Sequence, residues 1–264
     1  MPLEKNDNSQ FMEVAMDAVK DAGEVLAKYF IRLGVSDIKS KSMHDVVSVA
    51  DVESERIILK KIMSHFPDHN IVAEESGTTY QNNDYTWYVD PLDGTANFVM
   101  GNPYFSTSIG LAYKDEMILG VVYNPVLDEL YHAVKNRGPY LNNRKITVSD
   151  KSRLNEAFLA VGYAPEEENI KEGLKTVEKL SFVFQRVSIN FSPALDLCNI
   201  ARGRVDSLID NGTTPEDHAA GTLILKEAGG SFQNYNKETW DVNTRGIVAT
   251  NTLLHSQLLD VLND

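Results

Sequence analysis

Five short segments rich in β-branched and aromatic residues follow one another between residues 70 and 144, and they constrain the fold more than any other feature. Turn-forming residues separate the segments, a pattern typical of consecutive strands. The predicted strands cover residues 71–73, 86–89, 106–113, 117–123 and 129–134. Strands that lie this close together along a chain usually pair with one another, so this region predicts one sheet.

Two amphipathic helices are predicted before this sheet. Over residues 11–30 apolar side chains recur at helical spacing, which gives the helix one face to bury. A second helix is expected over residues 52–65, where a following proline ends it. Residues 33–50 are polar and follow neither the helical nor the strand period. We therefore expect a mobile surface loop there, leading directly into Asp51.

After residue 150 the pattern changes to alternating strands and helices. Strands are predicted at 158–161, near 186 and at 207–209, and helices at 166–180, 193–201, 215–228 and 253–262. This alternation is typical of an α/β arrangement, whereas the first half is α+β. We expect an N-terminal half (residues 1–150) and a C-terminal half (residues 151–264) that pack closely as one unit.

The composition argues against several classes of function. The chain has 264 residues, with 25 Lys and Arg against 38 Asp and Glu, so it lacks the excess of positive charge on which nucleic-acid binding depends. Its one cysteine, Cys198, cannot form an internal disulfide or a cysteine-based zinc site. The sequence has no long apolar run and no leader-like N-terminus, so we expect no membrane association and a cytoplasmic location.

The densest group of chemically useful residues lies at 87–98. A strand is expected to deliver Asp90 at its end, because the proline that follows lacks an N–H for further pairing. Asp90 and Asp93 can converge on one point, where Mg²⁺ or Ca²⁺ would relieve their repulsion. The N–H groups of Gly94 and Thr95 begin a short helix and could bind a phosphate. The alternative interpretation is an Asx-capped turn with no ligand.

Two weaker signals lie elsewhere in the chain. Glu74 follows the predicted strand at 71–73 and could join the site at Asp90, although paired glutamates are most often solvated surface charge. Asp217 lies in the first turn of the predicted helix at 215–228, where an acidic residue commonly interacts only with the helix dipole. Neither signal identifies a site by itself.

Together the three signals resemble the inositol monophosphatase family over nearly the whole chain. The resemblance rests on Glu-Glu-Ser at 74–76, on aromatic-x-x-Asp-Pro-Leu-Asp-Gly-Thr-x-Asn-Phe at 87–98 and on Asp-x-Ala-Ala-Gly at 217–221. It implies a layered αβαβα sandwich of the inositol monophosphatase and fructose-1,6-bisphosphatase type. It also implies a homodimer that hydrolyses phosphate monoesters in a Mg²⁺-dependent, lithium-sensitive reaction.

The resemblance implies a set of metal ligands. It assigns the first Mg²⁺ to Glu74, Asp90 and the Leu92 carbonyl, and the second to Asp90, Asp93 and Asp217. Glu74 would also help to bind a third, weaker ion. Two or three Mg²⁺ ions per subunit are therefore expected.

The catalytic residues implied by the resemblance are Glu74, Thr95 and Asp51. Glu74 would orient the attacking water, and Asp51 would accept a hydrogen bond from the Thr95 hydroxyl, which helps to activate that water. The amides of Gly94 and Thr95 would bind the phosphate. Without the resemblance, Asp51 is about equally well interpreted as an N-cap of the helix that begins at Val52.

The substrate contacts implied by the resemblance are Asp93, Asp210 and Ser192. Asp210 would bind substrate hydroxyls, and its alternative role is that of an acidic turn residue. The sequence departs from the family pattern at two positions. Glu216 replaces a tryptophan beside the last metal aspartate, and Phe191 replaces a glycine near the substrate.

Two other classes of protein stay open at this point. Aspartyl-phosphate phosphatases carry a similar Asp-x-Asp-Gly-Thr loop with a nucleophilic first Asp, but there the loop lies near the start of the domain, whereas 89 residues precede Asp90. An acidic Ca²⁺-binding module is the non-enzymatic alternative, although its characteristic loop is absent from the sequence. Within the resembled family, we consider an inositol monophosphate first, fructose 1,6-bisphosphate second and 3′-phosphoadenosine 5′-phosphate third.

Overall fold

Helices α1 (Asp7–Phe30) and α2 (Val49–His65) pack side by side against a large sheet. The computed structural model describes residues 7–30, 38–40, 46–236 and 240–263. The other helices are α3 (Thr95–Val99), α4 (Glu167–Leu180), α5 (Pro193–Ala201), α6 (Pro215–Glu227) and α7 (His255–Asn263). The strands are β1 (Ile38–Ser40), β2 (Val46–Ser48), β3 (Asn70–Ala73), β4 (Gly77–Thr79), β5 (Tyr85–Asp93), β6 (Ser106–Tyr113), β7 (Glu116–Asn124), β8 (Glu129–Val134), β9 (Pro139–Leu141), β10 (Arg144–Lys145), β11 (Phe158–Gly162), β12 (Arg186–Ser188), β13 (Ser207–Asp210), β14 (Ser231–Asn234) and β15 (Ile247–Thr250).

The larger sheet has eight strands in the order β10-β9-β8-β7-β6-β5-β3-β4. Its neighbours are antiparallel, apart from β3 and β5, which run parallel. The sheet face toward α1 and α2 is apolar, and its residues Trp87, Ile109 and Val121 join one cluster with Phe11 and Ile58. Burial against this face explains the helical spacing of apolar residues in α1.

The smaller sheet has five strands in the order β12-β11-β13-β15-β14. Helices α5 and α6 fill the space between the two sheets, where Leu223 packs in one cluster with Tyr131 of the larger sheet and Leu208 of the smaller. Helices α4 and α7 cover the opposite face of the smaller sheet through Leu180 and Leu258. The layers therefore alternate in the predicted αβαβα order.

A pair of glycines lets α6 approach the larger sheet closely. Gly110 and Gly120 are direct partners on β6 and β7. A Cβ atom at Gly120 would lie 2.5 Å from the carbonyl oxygen of Ala220, and one at Gly110 would lie 3.0 Å from the Cβ atom of Ala219. Because α6 also carries Asp217 in its first turn, these glycines contribute to the position of that carboxylate.

Gly120→Ala is expected to destabilise the protein by about 1–3 kcal/mol, because the new methyl group meets helix backbone that cannot turn aside. Urea unfolding measures this loss. Gly23→Ala is the comparison variant: its Cβ would meet side chains only, the ring of Tyr123 at 2.7 Å and the Cβ atom of Pro125 at 3.2 Å, and alanine is favoured within a helix. Equal stability of Gly120→Ala and the wild type would contradict the close contact.

The structure corrects the predicted elements in several places. Strands β4, β9, β10, β14 and β15 were not predicted, and their lengths of two to four residues are too short for a clear alternation. The prediction of a loop at 33–50 is wrong in two places. Residues 38–40 and 46–48 pair as strands, and residues 49–50 begin α2. Residues 33–37 and 41–45 lie outside the described residues, so the expected mobility of that segment is untested.

Two further sequence predictions concern the whole chain. Helices α5 and α6 pack against both sheets, and the division into two closely packed halves near residue 150 stays a prediction. In the part of the chain that the structure describes, no helix combines the length and apolarity needed to cross a membrane.

Candidate metal and phosphate site

Strand β5 carries two acidic residues into the centre of the site through an irregular end. Asp90 pairs with Ser108 of β6 and Asp93 pairs with Ser106, and the register shifts between them. The prediction that Pro91 ends the strand is therefore wrong. The proline lies at a break in the pairing, and its carbonyl accepts a hydrogen bond from the Thr107 hydroxyl at 3.1 Å. A strand irregularity of this kind changes the direction of the side chains beside it.

The carboxylates of Asp90, Asp93 and Asp217 converge, with one oxygen of each lying within 4.8 Å of the others. Asp90 accepts a hydrogen bond from the Leu92 amide at 2.9 Å. Asp217 accepts one from the Thr214 amide at 2.6 Å and one from the Thr214 hydroxyl at 3.1 Å. The turn considered as the alternative for Asp90 is thus present, and Asp217 completes a capping box at the start of α6, in the same carboxylates that form the cluster.

Asp93 is held by two hydroxyl groups beneath the site. Ser106 donates to its carboxylate at 3.1 Å, and Ser192 donates to the same oxygen. The side chain of Ser192 is fully buried, so the structure places it below Asp93 and not on the wall that faces a substrate. Its hydroxyl orients Asp93, and a direct contact of Ser192 with substrate stays a prediction.

Burial raises the pKa of Asp90 and of Asp93 well above the usual range, and the negative charges of Glu74 beside Asp90 and of Asp217 beside Asp93 raise them further. Burial also raises the pKa of Asp217, to about 6. The residues that line this cavity in the described part of the chain include five carboxylates and no Lys or Arg. Converging buried oxygens without a protein cation fit a hard divalent metal ion.

A second group of carboxylates lies beside the first. One oxygen each of Asp51, Glu74 and Glu75 lies within 4.8 Å of the others. The side chain of Asp51 is buried and that of Glu74 is exposed. Glu74 also lines the cavity that contains Asp90, so it stands between the two groups. Helix α2 begins at Val49, which places Asp51 in its first turn and not at the N-cap considered as its alternative role.

Gly94 and Thr95 form the turn from β5 into α3. Gly94 has a φ of 88°, and a Cβ there would lie 2.9 Å from the carbonyl oxygen of Tyr104. Only glycine adopts this conformation without strain in so little space. The Thr95 hydroxyl donates to the Leu92 carbonyl at 3.0 Å, so its single proton is used in that hydrogen bond in this structure. The relay to Asp51 stays a prediction that requires the hydroxyl to rotate.

Asp210 ends β13 and lines the same cavity. Its carboxylate accepts hydrogen bonds from the amides of Gly212 at 2.8 Å and Thr213 at 3.2 Å. Burial raises its pKa to about 7, and the charge of Asp217 contributes. The structure therefore places Asp210 at the cavity wall while also giving it the hydrogen bonds of a turn residue.

Asp217 is expected to destabilise the metal-free protein increasingly as the pH rises from about 4 to about 7. The folded pKa of Asp217, about 6, lies above the usual 3.8, so the folded state binds more protons than the unfolded state in this window. The stabilising contribution is complete below pH 3.8 and is lost as the pH passes the folded value. Thermal unfolding in EDTA tests this expectation across the pH range.

Asp217→Asn is expected to flatten this pH dependence, whereas the exposed Asp150→Asn is expected to leave it unchanged. Mg²⁺ added at pH 7 should restore the lost stability, because a ligand that binds only the folded state stabilises it. Equal pH dependence of stability in the wild type and in Asp217→Asn, both in EDTA, would contradict the raised pKa of Asp217.

The family relationship follows from comparison with known proteins. A sequence model of the inositol monophosphatase family matches residues 7–264. The chain belongs to the inositol monophosphatase family. Membership makes it a phosphatase, a phosphoric monoester hydrolase, and confirms the resemblance predicted from the three motifs.

Curated relatives and solved structures of the inositol monophosphatase family match nearly the whole chain. Inositol monophosphatase 2 of Solanum lycopersicum is 36% identical over 264 residues, which cover 97% of this chain and 98% of the relative. Fructose-1,6-bisphosphatase/inositol-1-monophosphatase of Aquifex aeolicus is 35% identical over 253 residues, with 96% and 95% covered. The structure of inositol monophosphatase from Anabaena (Nostoc) sp. matches with a TM-score of 0.85 at 36% identity, covering 96% of this chain and 95% of that one.

Some residues of this inositol monophosphatase site were not singled out from the sequence. Thr214 caps α6 and binds Asp217, and the Thr-Pro-Glu-Asp run at 214–217 is a capping-box pattern that could have identified it. Ser106 could be located only through the pairing of β5 with β6. Tyr163 lines the cavity from the end of β11, and nothing in the sequence around it marks that role.

Proposed function

We propose that this protein hydrolyses an inositol monophosphate in a Mg²⁺-dependent reaction. The observation that carries the proposal is the cluster of Asp90, Asp93 and Asp217 at the base of a cavity of about 200 Å³. All donors in this cluster are oxygens, as Mg²⁺ requires. The cavity also reaches Gly94 and Thr95, whose backbone can bind a phosphate.

The residues present fit two Mg²⁺ ions, with a third bound more weakly near Glu74. Asp90, Asp93 and Asp217 would hold one ion, and Glu74, Asp90 and the Leu92 carbonyl another. When bound, Mg²⁺ neutralises the converging carboxylates, lowers the pKa of a water and stabilises charge on the phosphate oxygens.

The remaining catalytic work falls to the side chains of Glu74, Thr95 and Asp51 and to the backbone. The amides of Gly94 and Thr95 orient the phosphate, and Glu74 positions the attacking water. The Thr95 hydroxyl first rotates so that it donates to Asp51 instead of to the Leu92 carbonyl. Its oxygen can then accept a proton from that water. Asp93 and Asp210 bind substrate hydroxyls from the cavity wall. The phosphate passes directly to water, so no covalent phosphoenzyme forms.

Phosphate release from three esters tests the substrate. Inositol 1-phosphate is expected to show the highest kcat/KM, followed by fructose 1,6-bisphosphate and then 3′-phosphoadenosine 5′-phosphate. Fructose 1,6-bisphosphate is the second candidate because the Aquifex aeolicus relative carries both names. Each rate is measured with Mg²⁺ and with EDTA. Hydrolysis that continues unchanged in EDTA, or a trapped phosphoenzyme, would overturn the proposal.

We further propose that the protein is a cytoplasmic homodimer and that lithium inhibits it. These properties rest on the family to which the chain belongs. Light scattering measures the mass in solution against the 29.5 kDa chain. Lithium titration at fixed Mg²⁺ measures the inhibition.

A further inference from the structure

The phosphate-sized cavity opens into a wider groove with an aromatic wall. The groove has a volume of about 700 Å³, against about 200 Å³ for the cavity. Tyr163, Pro165 and Phe191 line both, so the two spaces are continuous. An alcohol whose phosphate lies near Gly94 would therefore extend along this wall.

Phe191 presents its ring to this groove in a strained conformation. Its φ is 52°, in the left-handed region that bulky residues rarely occupy. The side chain is 40% exposed, and its ring packs edge-to-face on Tyr163 with the centroids 5.2 Å apart. A large apolar ring that is both strained and exposed beside a site indicates a binding surface.

Hydrogen bonds from the site hold the backbone around Phe191 in place. The side chain of Asn97, on α3, donates to the carbonyls of Asn190 at 2.7 Å and Phe191 at 3.4 Å. The next residue, Ser192, donates to Asp93. A strained residue persists only where its surroundings determine its conformation. The aromatic wall thus has a defined position relative to the carboxylate cluster.

We propose that Tyr163 and Phe191 bind a flat aromatic ring carried by the alcohol part of the phosphate ester. This inference rests on the proposed phosphatase function and deepens it by naming the residues that set a preference for one class of alcohol. Two rings at right angles offer one face and one edge to a third ring. An aromatic third ring gains more from these contacts than a saturated ring does. Arg245 and Glu166 line the outer part of the same groove.

Benzyl phosphate and cyclohexylmethyl phosphate provide a matched pair of substrates. Both release a primary alcohol of nearly the same size; they differ in the flatness and aromaticity of the ring and only slightly in the acidity of the alcohol. The wild type is expected to show a roughly three- to tenfold higher kcat/KM for benzyl phosphate. Phe191→Gly and Tyr163→Leu should bring this ratio close to one. Phe182→Gly is the control, since Phe182 is exposed beyond the end of α4 and does not line the groove.

Binding of the two corresponding phosphonates, measured by calorimetry, gives a readout that does not depend on turnover. Benzylphosphonate should bind more tightly to the wild type by a similar factor, and Phe191→Gly should remove the difference. Relief of the strained φ by glycine offsets part of the lost ring packing, and thermal unfolding checks that this variant stays folded.

The outcomes distinguish the two proposals. If the wild type hydrolyses glycerol 2-phosphate but has the same kcat/KM for the two ring esters, the aromatic inference is wrong and the phosphatase proposal stands. A ratio that persists in both groove variants also overturns the inference. If no ester is hydrolysed with Mg²⁺, the proposed function fails and the inference falls with it.

Discussion

Asp90→Asn is expected to abolish Mg²⁺-dependent phosphate release while the variant stays folded. Asp90 is buried among Asp93, Asp217 and Glu74, and it is the one carboxylate assigned to both principal ions. Loss of its charge should lower kcat by at least 10²- to 10³-fold, roughly the range for removing one preorganised electrostatic group. In EDTA the same change should raise the thermal unfolding temperature, because it removes repulsion among buried anions.

A loss of activity together with a gain of metal-free stability in Asp90→Asn would identify Asp90 as a metal ligand and not only a turn residue. If Asp90 served only to accept the Leu92 amide, Asp90→Asn would change both quantities little. Asp93→Asn and Asp217→Asn are the comparison variants, and they should raise the Mg²⁺ concentration needed for half-maximal rate and lower that rate. Activity of Asp90→Asn within a few-fold of wild type at saturating Mg²⁺ would overturn the assignment.

Thr95→Ala is expected to lower kcat by about 10²- to 10⁴-fold, the usual contribution of a positioned proton-transfer group, with a much smaller change in KM. The amide of residue 95 is kept in this variant, so the proposed phosphate contact survives. Thr95→Ser keeps the hydroxyl and should retain much of the activity. Steady-state kinetics on inositol 1-phosphate separate kcat from KM.

Asp51→Asn should resemble Thr95→Ala, and the double variant should be little slower than either single variant, because residues that act as a unit are not additive. This double-mutant cycle tests whether the Thr95 hydroxyl, which donates to the Leu92 carbonyl in the structure, rotates toward Asp51. Losses that multiply in the double variant would show that the two residues act independently. An unchanged kcat in Thr95→Ala would leave Thr95 as a helix-starting residue only.

Sequence patterns predicted the elements that are long or regular and missed those set by distant neighbours. Helix α1 was predicted because one of its faces is buried along its whole length. Strand β15 was not, although all four of its residues are buried, because a short strand buried on both faces has no alternation. The end of β5 was misjudged because the effect of Pro91 depends on β6, which lets the pairing resume at Asp93.

In the candidate site too, sequence patterns predicted the local features and missed those set by distant neighbours. Asp90, Asp93 and Gly94 are close in sequence, so their spacing alone predicted their convergence. The position of Asp217 beside them depends on α6, and the resemblance was needed to connect it to the site. The burial of Ser192 under Asp93 arises from a contact between residues 99 positions apart, which no local pattern contains.

The position of α6 between the two sheets has a consequence for the synthesis of this protein. The inner face of the larger sheet includes Ala112, Val122 and Tyr131, and α6 covers it. A ribosome completes this sheet at Lys145 but does not complete the covering helix until Glu227. During that interval the nascent chain carries an uncovered apolar sheet face, the kind of surface that aggregates or recruits chaperones. Release of a fragment ending near residue 150 would make that exposure permanent.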